Sequence, residues 1–184
     1  MRCVAFLWGV LFAVADWTGA HAESVIDEAR VGVLAQSCCG YSPDNEQGVG
    51  INFEAAFRSP GFLRIIGAPR PLIGGTLATD SDGTNHAYAA LEWRYDFSKY
   101  FVSGAVGGAV HDGTLNDGGD PFLAARGDTI FFGCRVLIKV GLNAGVRLTD
   151  RINAAAHWSH ISNGTLCRPN NGLDQLGVRI GVGF

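Results

Sequence analysis

Three side chains near the end of the chain could together form a nucleophilic site. His160 and Ser162 lie two residues apart, and Asp174 follows after a stretch rich in turn residues. On a β-strand, residues i and i+2 project from the same face, so His160 and Ser162 would lie side by side. A histidine can take the proton of a serine hydroxyl, and a carboxylate can hold the imidazole in the required tautomer. A His-x-Ser pair alone is common, so the hydrolytic reading depends on the elements that place these residues.

Alternation of apolar and polar residues recurs along the chain and predicts β-strands. Residues 130–148 carry apolar side chains at the even positions, and residues 176–184 repeat the pattern up to the terminal Phe184. Turn signals separate such segments. The pattern predicts eight strands, near 28–37, 48–58, 70–79, 85–97, 100–111, 129–148, 152–163 and 174–184.

Short and long connections alternate between these strands, which is typical of an outer-membrane barrel. We therefore predict an all-β fold, an eight-stranded antiparallel outer-membrane β-barrel. In lipid the sheet must close so that every backbone group is paired, and at eight strands side chains fill the interior. Alternation shows that two faces differ but not which one is outside, so a soluble lipocalin-like barrel stays open as an alternative. The long apolar stripes, the C-terminal Phe184 and a secretory leader favour the membrane.

The first residues predict a secretory signal peptide over 1–22, followed by a single barrel domain over 23–184. Arg2 precedes an apolar run over 4–15, and a small-x-small site ends at Ala22. The body of the chain contains no apolar run long enough for a membrane helix. The net charge of −3 does not suggest a nucleic-acid partner.

The predicted barrel would display the three polar residues to lipid. Asp174 shares the parity of the apolar set of the last strand, and antiparallel pairing would bring it close to His160 and Ser162. Their position at the loop end is the extracellular side, level with the outer leaflet. Polar groups on a lipid-facing wall are costly, so a chemical role is favoured. His111, followed by Asp112, is a rival base at the loop rim.

The closing segment resembles the lipid A 3-O-deacylase family, the PagL-type hydrolases of Gram-negative outer membranes. The matching residues are His160-x-Ser162-Asn163, Pro169-Asn170-x-Gly172, Gly177 and the aromatic C-terminus. They cover roughly the last 25 residues, and the rest of the chain is similar only in architecture.

The resemblance implies an enzyme that removes the ester-linked acyl chain at position 3 of lipid A. Family members use a Ser–His–Glu triad on the outer surface of the barrel. Carried onto this chain, Ser162 is the nucleophile, His160 the general base and Asp174 the acid, one methylene shorter than the family's glutamate. Asn163 and the backbone N–H of Gly164 would form the oxyanion hole.

The same resemblance implies the partners. These are lipid A or lipopolysaccharide in the outer leaflet of a bacterial outer membrane, and the assembly machinery that would recognise Phe184. No cofactor is expected, and no metal, because the histidines and carboxylates are not grouped at ligand spacing.

Four cysteines would remain after removal of the signal peptide. A bond between Cys134 and Cys167 would tether the site loop across a separation of 33 residues and stabilise the fold by about 2–4 kcal/mol. Adjacent Cys38 and Cys39 would then be free thiols or a strained pair. The sequence leaves the pairing open.

The alternative to an enzyme is a non-catalytic eight-stranded barrel that acts as an adhesin or supports the envelope. A soluble lipocalin-type carrier is a third hypothesis. Loss of a 3-linked acyl chain from lipid A would separate the first hypothesis from the second, and cell fractionation would separate the third.

Overall fold

The structure is a computed structural model that describes residues 24–38, 46–116, 118 and 129–184. The predicted signal peptide, residues 1–22, and Cys39 lie outside these residues. The signal peptide therefore stays a prediction.

Eight antiparallel strands form a closed barrel in sequence order, and β1 pairs with β8 to complete it. The strands are β1 Ile26–Gln36, β2 Gly48–Phe57, β3 Arg70–Ala78, β4 His86–Phe97, β5 Tyr100–His111, β6 Val136–Arg147, β7 Ile152–Ser162 and β8 Leu173–Gly183. The predicted fold class is confirmed. Seven of the eight predicted strands agree with the structure to within two residues at each end.

The two ends of the barrel differ in their connections. At the turn end, 98–99 and 148–151 join strands tightly, and 58–69 contains a 3₁₀ helix, Gly61–Ile66, which we call the rim helix. At the other end, the loop end, the connections are 37–47, 79–85, 112–135 and 163–172. By the usual orientation of outer-membrane barrels, the loop end is extracellular and the turn end periplasmic.

The outer wall is apolar and the interior is polar. Along β8 the side chains of Val178 and Ile180 are 65% and 44% exposed, whereas those of Gln175 and Arg179 are buried. An apolar face turned outward in this way suits lipid and excludes the lipocalin-like alternative, whose apolar face would line the interior.

Ion pairs fill the interior of the barrel. The guanidinium of Arg30 contacts three carboxylates, those of Glu28 at 2.7 Å, Glu54 at 2.7 Å and Glu92 at 2.9 Å. Arg179 adds a second contact to Glu54 at 3.1 Å. Because all of these groups are buried, each charge depends on its partners to offset the loss of hydration.

The predicted start of the sixth strand at residue 129 is wrong, since β6 begins at Val136. Residues 129–135 alternate like a strand, but Ile130 and Phe132 are fully buried in a core cluster with Leu137 and Leu173. The backbone N–H of Phe132 donates to the carbonyl of Thr114 at 3.0 Å, so the segment folds back against its own loop. Two apolar residues at spacing two resemble part of a lipid-facing strand in the sequence, but in the fold they pack under the loops.

Removing the central cation should destabilise the barrel strongly. Arg30→Met would leave three buried carboxylates without their shared partner, and we expect the free energy of unfolding to fall by about 3–5 kcal/mol. Urea unfolding in detergent micelles, followed by tryptophan fluorescence, measures this change. Lys99→Gln on an exposed turn is the matched control, and an equal loss in both variants would contradict the central role of Arg30.

Candidate active site

The last two strands bring the candidate site residues to the loop end of the outer wall. His160 and Ser162 end β7 on its outward face, alternating with the buried residues Ser159 and Ile161. The register of β7 and β8 pairs His160 directly with Asp174. Two residues distant in sequence thus become cross-strand neighbours.

His160 and Asp174 form a hydrogen-bonded pair. The Nδ1 atom of His160 lies 3.0 Å from Oδ1 of Asp174, and the carboxylate is fully buried while the imidazole is partly exposed. Because an ionised carboxylate only accepts hydrogen bonds, such an acid beside Nδ1 favours the tautomer of His160 that carries its proton on Nδ1. A histidine held in that tautomer can act as a general base.

Ser162 shares the outward face of β7 with His160. Ser162 is partly exposed and lies opposite Ile138 of β6. Residues two apart on a strand have Cα atoms about 6.6 Å from each other, within reach of a serine rotamer turned toward the imidazole. Such contacts are often loose in the absence of substrate.

Gly172 and Trp158 hold the imidazole from two sides. A Cβ atom at Gly172 would lie 3.0 Å from Nε2 of His160 and closer still to Cε1, so only glycine leaves room for the ring. The indole of Trp158 stacks on the His160 ring with an interplanar angle of 14° and a centroid distance of 6.4 Å. Sequence reasoning did not assign these roles, although Trp158 shares the parity of His160.

The structure does not bring the Asn163 side chain to the outer wall. Asn163 is buried, and its amide nitrogen donates to the carbonyls of Phe132 at 2.7 Å and Pro169 at 2.9 Å. Its backbone N–H donates to the Asn170 side chain at 3.0 Å. All of its donors are therefore engaged in bracing the loop, and the expected oxyanion role for this side chain does not fit the geometry. Gly164 is exposed on the other side, next to Ile138.

The loop that joins β7 and β8 is fastened to the preceding outer loop. Cys134 and Cys167 form a disulfide with Cα atoms 5.8 Å apart. The backbone N–H of Asn171 donates to the carbonyl of Phe131 at 3.1 Å. The loop that carries Gly172 thus has several fixed points.

A half-buried carboxylate connects its own loop segment to two others. Glu46 accepts hydrogen bonds from the backbone N–H groups of Thr84 and Ile130, each at 3.0 Å. Burial raises the pKa of the Glu46 carboxyl above its ordinary value, and these donors oppose the shift only in part. The outer loops therefore form one connected layer behind the site.

His111 and Asp112 do not form a rival catalytic pair on the outer wall. His111 points into the barrel, where its Nε2 atom contacts the carbonyl of Cys134 at 2.7 Å. Asp112 accepts hydrogen bonds from the backbone and side chain of Asn85. Both residues support loop structure.

An apolar furrow of about 710 Å³ runs along the outer wall beside Trp158. Its floor is made of small residues, Gly104, Ala144 and Ala156, and larger side chains such as Leu142 flank it. Because Trp158 also stacks on His160, the furrow begins next to the polar cluster. An alkyl chain fits a recess of this width and chemistry.

Within the described ranges, no helix is long and apolar enough to cross a bilayer. No group of three or more histidine, cysteine, aspartate or glutamate side chains that could hold a metal ion occurs among those same residues.

Comparison with known proteins identifies the family. The model of the family described as lipid A 3-O-deacylase (PagL) matches residues 73–183, more than half of the chain. No curated protein sequence matches significantly. The fold is similar to the crystal structure of the outer membrane enzyme PagL, with a TM-score of 0.64 and 15% identity, covering 85% of this chain and 99% of that one. It is also similar to a de novo designed transmembrane β-barrel, with a TM-score of 0.50 and 11% identity, covering 88% and 98%.

The fold and the family match together define an outer-membrane β-barrel of the hydrolase class. The chain belongs to the lipid A 3-O-deacylase (PagL) family. The protein is located in the bacterial outer membrane.

Loss of the disulfide should loosen the site loop and lower stability. Replacing both Cys134 and Cys167 by serine removes a crosslink between positions 33 residues apart, and we expect about 2–4 kcal/mol less free energy of unfolding. Urea unfolding of the oxidised wild type and the double variant measures the difference. The wild type kept in reductant is the control and should match the variant. Equal stability of all three samples would contradict the prediction.

Proposed function

We propose that this protein is a serine esterase that removes the 3-O-linked acyl chain of lipid A in the outer leaflet. Ser162 is the nucleophile, His160 the general base and Asp174 the residue that orients the imidazole. The observation that carries the proposal is the 3.0 Å contact between Nδ1 of His160 and the buried carboxylate of Asp174 on the lipid-facing wall. A barrel with only a structural or adhesive role has no need of such a pair beside a serine.

The acylation step follows from these positions. Ser162 Oγ attacks the ester carbonyl and gives its proton to Nε2 of His160, while the Asp174 carboxylate stabilises the imidazolium that forms. When the tetrahedral intermediate collapses, the bond to the 3-oxygen of lipid A breaks and that oxygen takes the proton from His160. The acyl group remains on Ser162 as an ester.

Hydrolysis of the acyl-enzyme repeats the proton transfer with water. His160 removes a proton from water, the hydroxide adds to the acyl carbon, and Ser162 Oγ leaves with the proton. The products are the fatty acid and lipid A with a free 3-hydroxyl group. The backbone N–H of exposed Gly164 is the donor we assign to the developing oxyanion.

The furrow beside Trp158 supports the assignment of substrate. It is apolar, lies on the face that meets lipid and reaches Trp158, whose ring stacks on His160, so the acyl chain can lie in it while the ester faces Ser162. A lipid in the outer leaflet can diffuse sideways into this position without leaving the membrane. The barrel wall then orients the scissile ester, which is a large part of catalysis by proximity.

Both ends of the chain carry features that suit export to the outer membrane. The signal peptide over 1–22 would direct the chain across the inner membrane. The terminal Phe184 is exposed and continues the outward apolar set of β8, which suits recognition by the assembly machinery of the outer membrane.

The nucleophile can be tested by a pair of serine variants on one strand. We expect Ser162→Ala to lower the rate of deacylation by at least about 10³-fold, because no other group there can form the acyl-enzyme. Mass spectrometry of lipid A from mixed vesicles detects the loss of one 3-linked acyl chain. Ser159→Ala, on the same strand but facing the interior, is the matched control and should retain activity. A Ser162→Ala variant as active as the wild type would contradict the proposal.

The acid can be tested by changing its charge and its length separately. We expect Asp174→Asn to lower the rate by about 10²- to 10⁴-fold, because the imidazolium loses its counter-charge and the tautomer is no longer imposed. Asp174→Glu keeps the charge and should stay within about tenfold of the wild type. The same lipid A assay measures both variants, with heat-modifiable gel mobility as the check on folding. Similar rates for the two variants would contradict the role of the carboxylate.

A further inference from the structure

The barrel wall has a step at its turn end, between β2 and β4. β3 begins at Arg70 opposite Glu92, so residues 93–97 of β4 pair with β5 but have no partner from β3. The chain from 58 to 69, which contains the rim helix, occupies this side of the barrel. The rim helix therefore stands beside a part of the wall that β3 does not reach.

A lipid-facing side chain holds the rim helix in place. The indole N–H of Trp93, on the outward face of β4, donates to the carbonyl of Ile66 at 2.8 Å. Gly67 follows with φ of 89°, and a Cβ atom there would lie 3.4 Å from Nε1 of Trp93. Glycine adopts this left-handed backbone readily and permits the close approach. The helix is thus fastened to the outer wall.

The rim helix exposes its large apolar side chains. Phe62 is 72% exposed and Ile65 is 90% exposed, and no residue of the helix is buried. Exposed apolar side chains grouped in this way indicate a contact surface. Because the adjoining wall of the barrel faces lipid, the surface continues an interface with the bilayer.

A basic residue of the rim helix and aromatic residues of the neighbouring wall suit the membrane–water interface. Arg64, in the last turn of the rim helix, is exposed and can reach a lipid phosphate. The rings of Tyr95, Phe97 and Tyr100 follow one another at 6.2 Å and 6.1 Å along the neighbouring wall. Aromatic girdles of this kind mark the membrane–water interface of outer-membrane barrels.

We propose that the rim helix is an interfacial anchor in the phospholipid leaflet at the turn end of the barrel. Phe62 and Ile65 insert among the acyl chains, and Arg64 binds lipid phosphate. The helix thereby extends the apolar wall where β3 is short. Short amphipathic segments lie in membrane interfaces by the same combination of apolar insertion and basic charge.

Spin labels at single cysteines test the position of the helix. The background carries Cys38→Ser and Cys39→Ser, and labels are attached at Phe62→Cys or Ile65→Cys in protein reconstituted into phospholipid vesicles. Collision with oxygen reports lipid, and collision with a water-soluble nickel chelate reports water. We expect the ratio of oxygen to nickel accessibility at positions 62 and 65 to approach that of Val106→Cys, on the outward face of β5. It should exceed that of Asp150→Cys, on a turn at the same end, several-fold.

The outcomes separate lipid from other occupants. A ratio at position 65 equal to that at position 150 would overturn the proposal. A second result would also contradict binding to lipid. If the labels are accessible to the nickel chelate in vesicles but become immobilised in whole envelopes, the rim helix contacts a protein. Heat-modifiable mobility on gels shows that each labelled barrel is folded, and no readout depends on deacylation.

The role of Arg64 has its own test. Arg64→Glu should repel lipid phosphate, so we expect the oxygen-to-nickel ratio at position 65 to fall at least about twofold at low salt. Lys99→Glu, at another turn of the same end, is the control for a general change in charge and should leave the ratio unchanged. An unaltered ratio in Arg64→Glu would remove the arginine from the proposal.

Discussion

Closure of the sheet by pairing between β1 and β8 is the constraint on which the remaining features depend. The pairing runs without a break from Glu28 opposite Gly183 to Gln36 opposite Gln175. A bilayer offers no water to an open edge, so closure satisfies backbone groups that would otherwise be unpaired. Closure also gives every strand one inward and one outward face. The ion pairs around Arg30 and the apolar outer wall are two results of the same alternation.

The candidate site lies at the loop end, where a polar side chain at an outward position costs little free energy. At the loop end the outward positions of β7 and β8 leave the apolar band, and the loops can cover them. The carboxylate of Asp174 is buried there, although its parity is that of the lipid-facing residues. The disulfide from Cys134 to Cys167 and the hydrogen bonds of Asn163 hold the covering loop. A polar pair is thus protected on a wall that otherwise meets lipid.

Period-two alternation predicted the strands well because each strand has one face in lipid and one in a polar interior. It failed at 129–135, where Ile130 and Phe132 alternate but pack beneath the loops. Parity also placed His160 and Asp174 on one face, and the register then made them neighbours. It could not predict the use of the Asn163 side chain, because hydrogen bonds to loop carbonyls depend on tertiary folding. The position of the rim helix could not be predicted from the sequence either, because its hydrogen bond with Trp93 joins segments that are distant along the chain.

The strand register allows the short side chain of Asp174 to reach His160. Residues directly opposite each other in an antiparallel pair have Cα atoms only about 4.5–5.5 Å apart, so a short acid can reach its neighbour. His160 and Asp174 are opposed in this way, and the side chains meet at 3.0 Å. Gly172 then leaves the space that the ring needs beside the strand. Strand pairing thus brings even this short side chain within hydrogen-bond distance of His160, as the proposed triad requires.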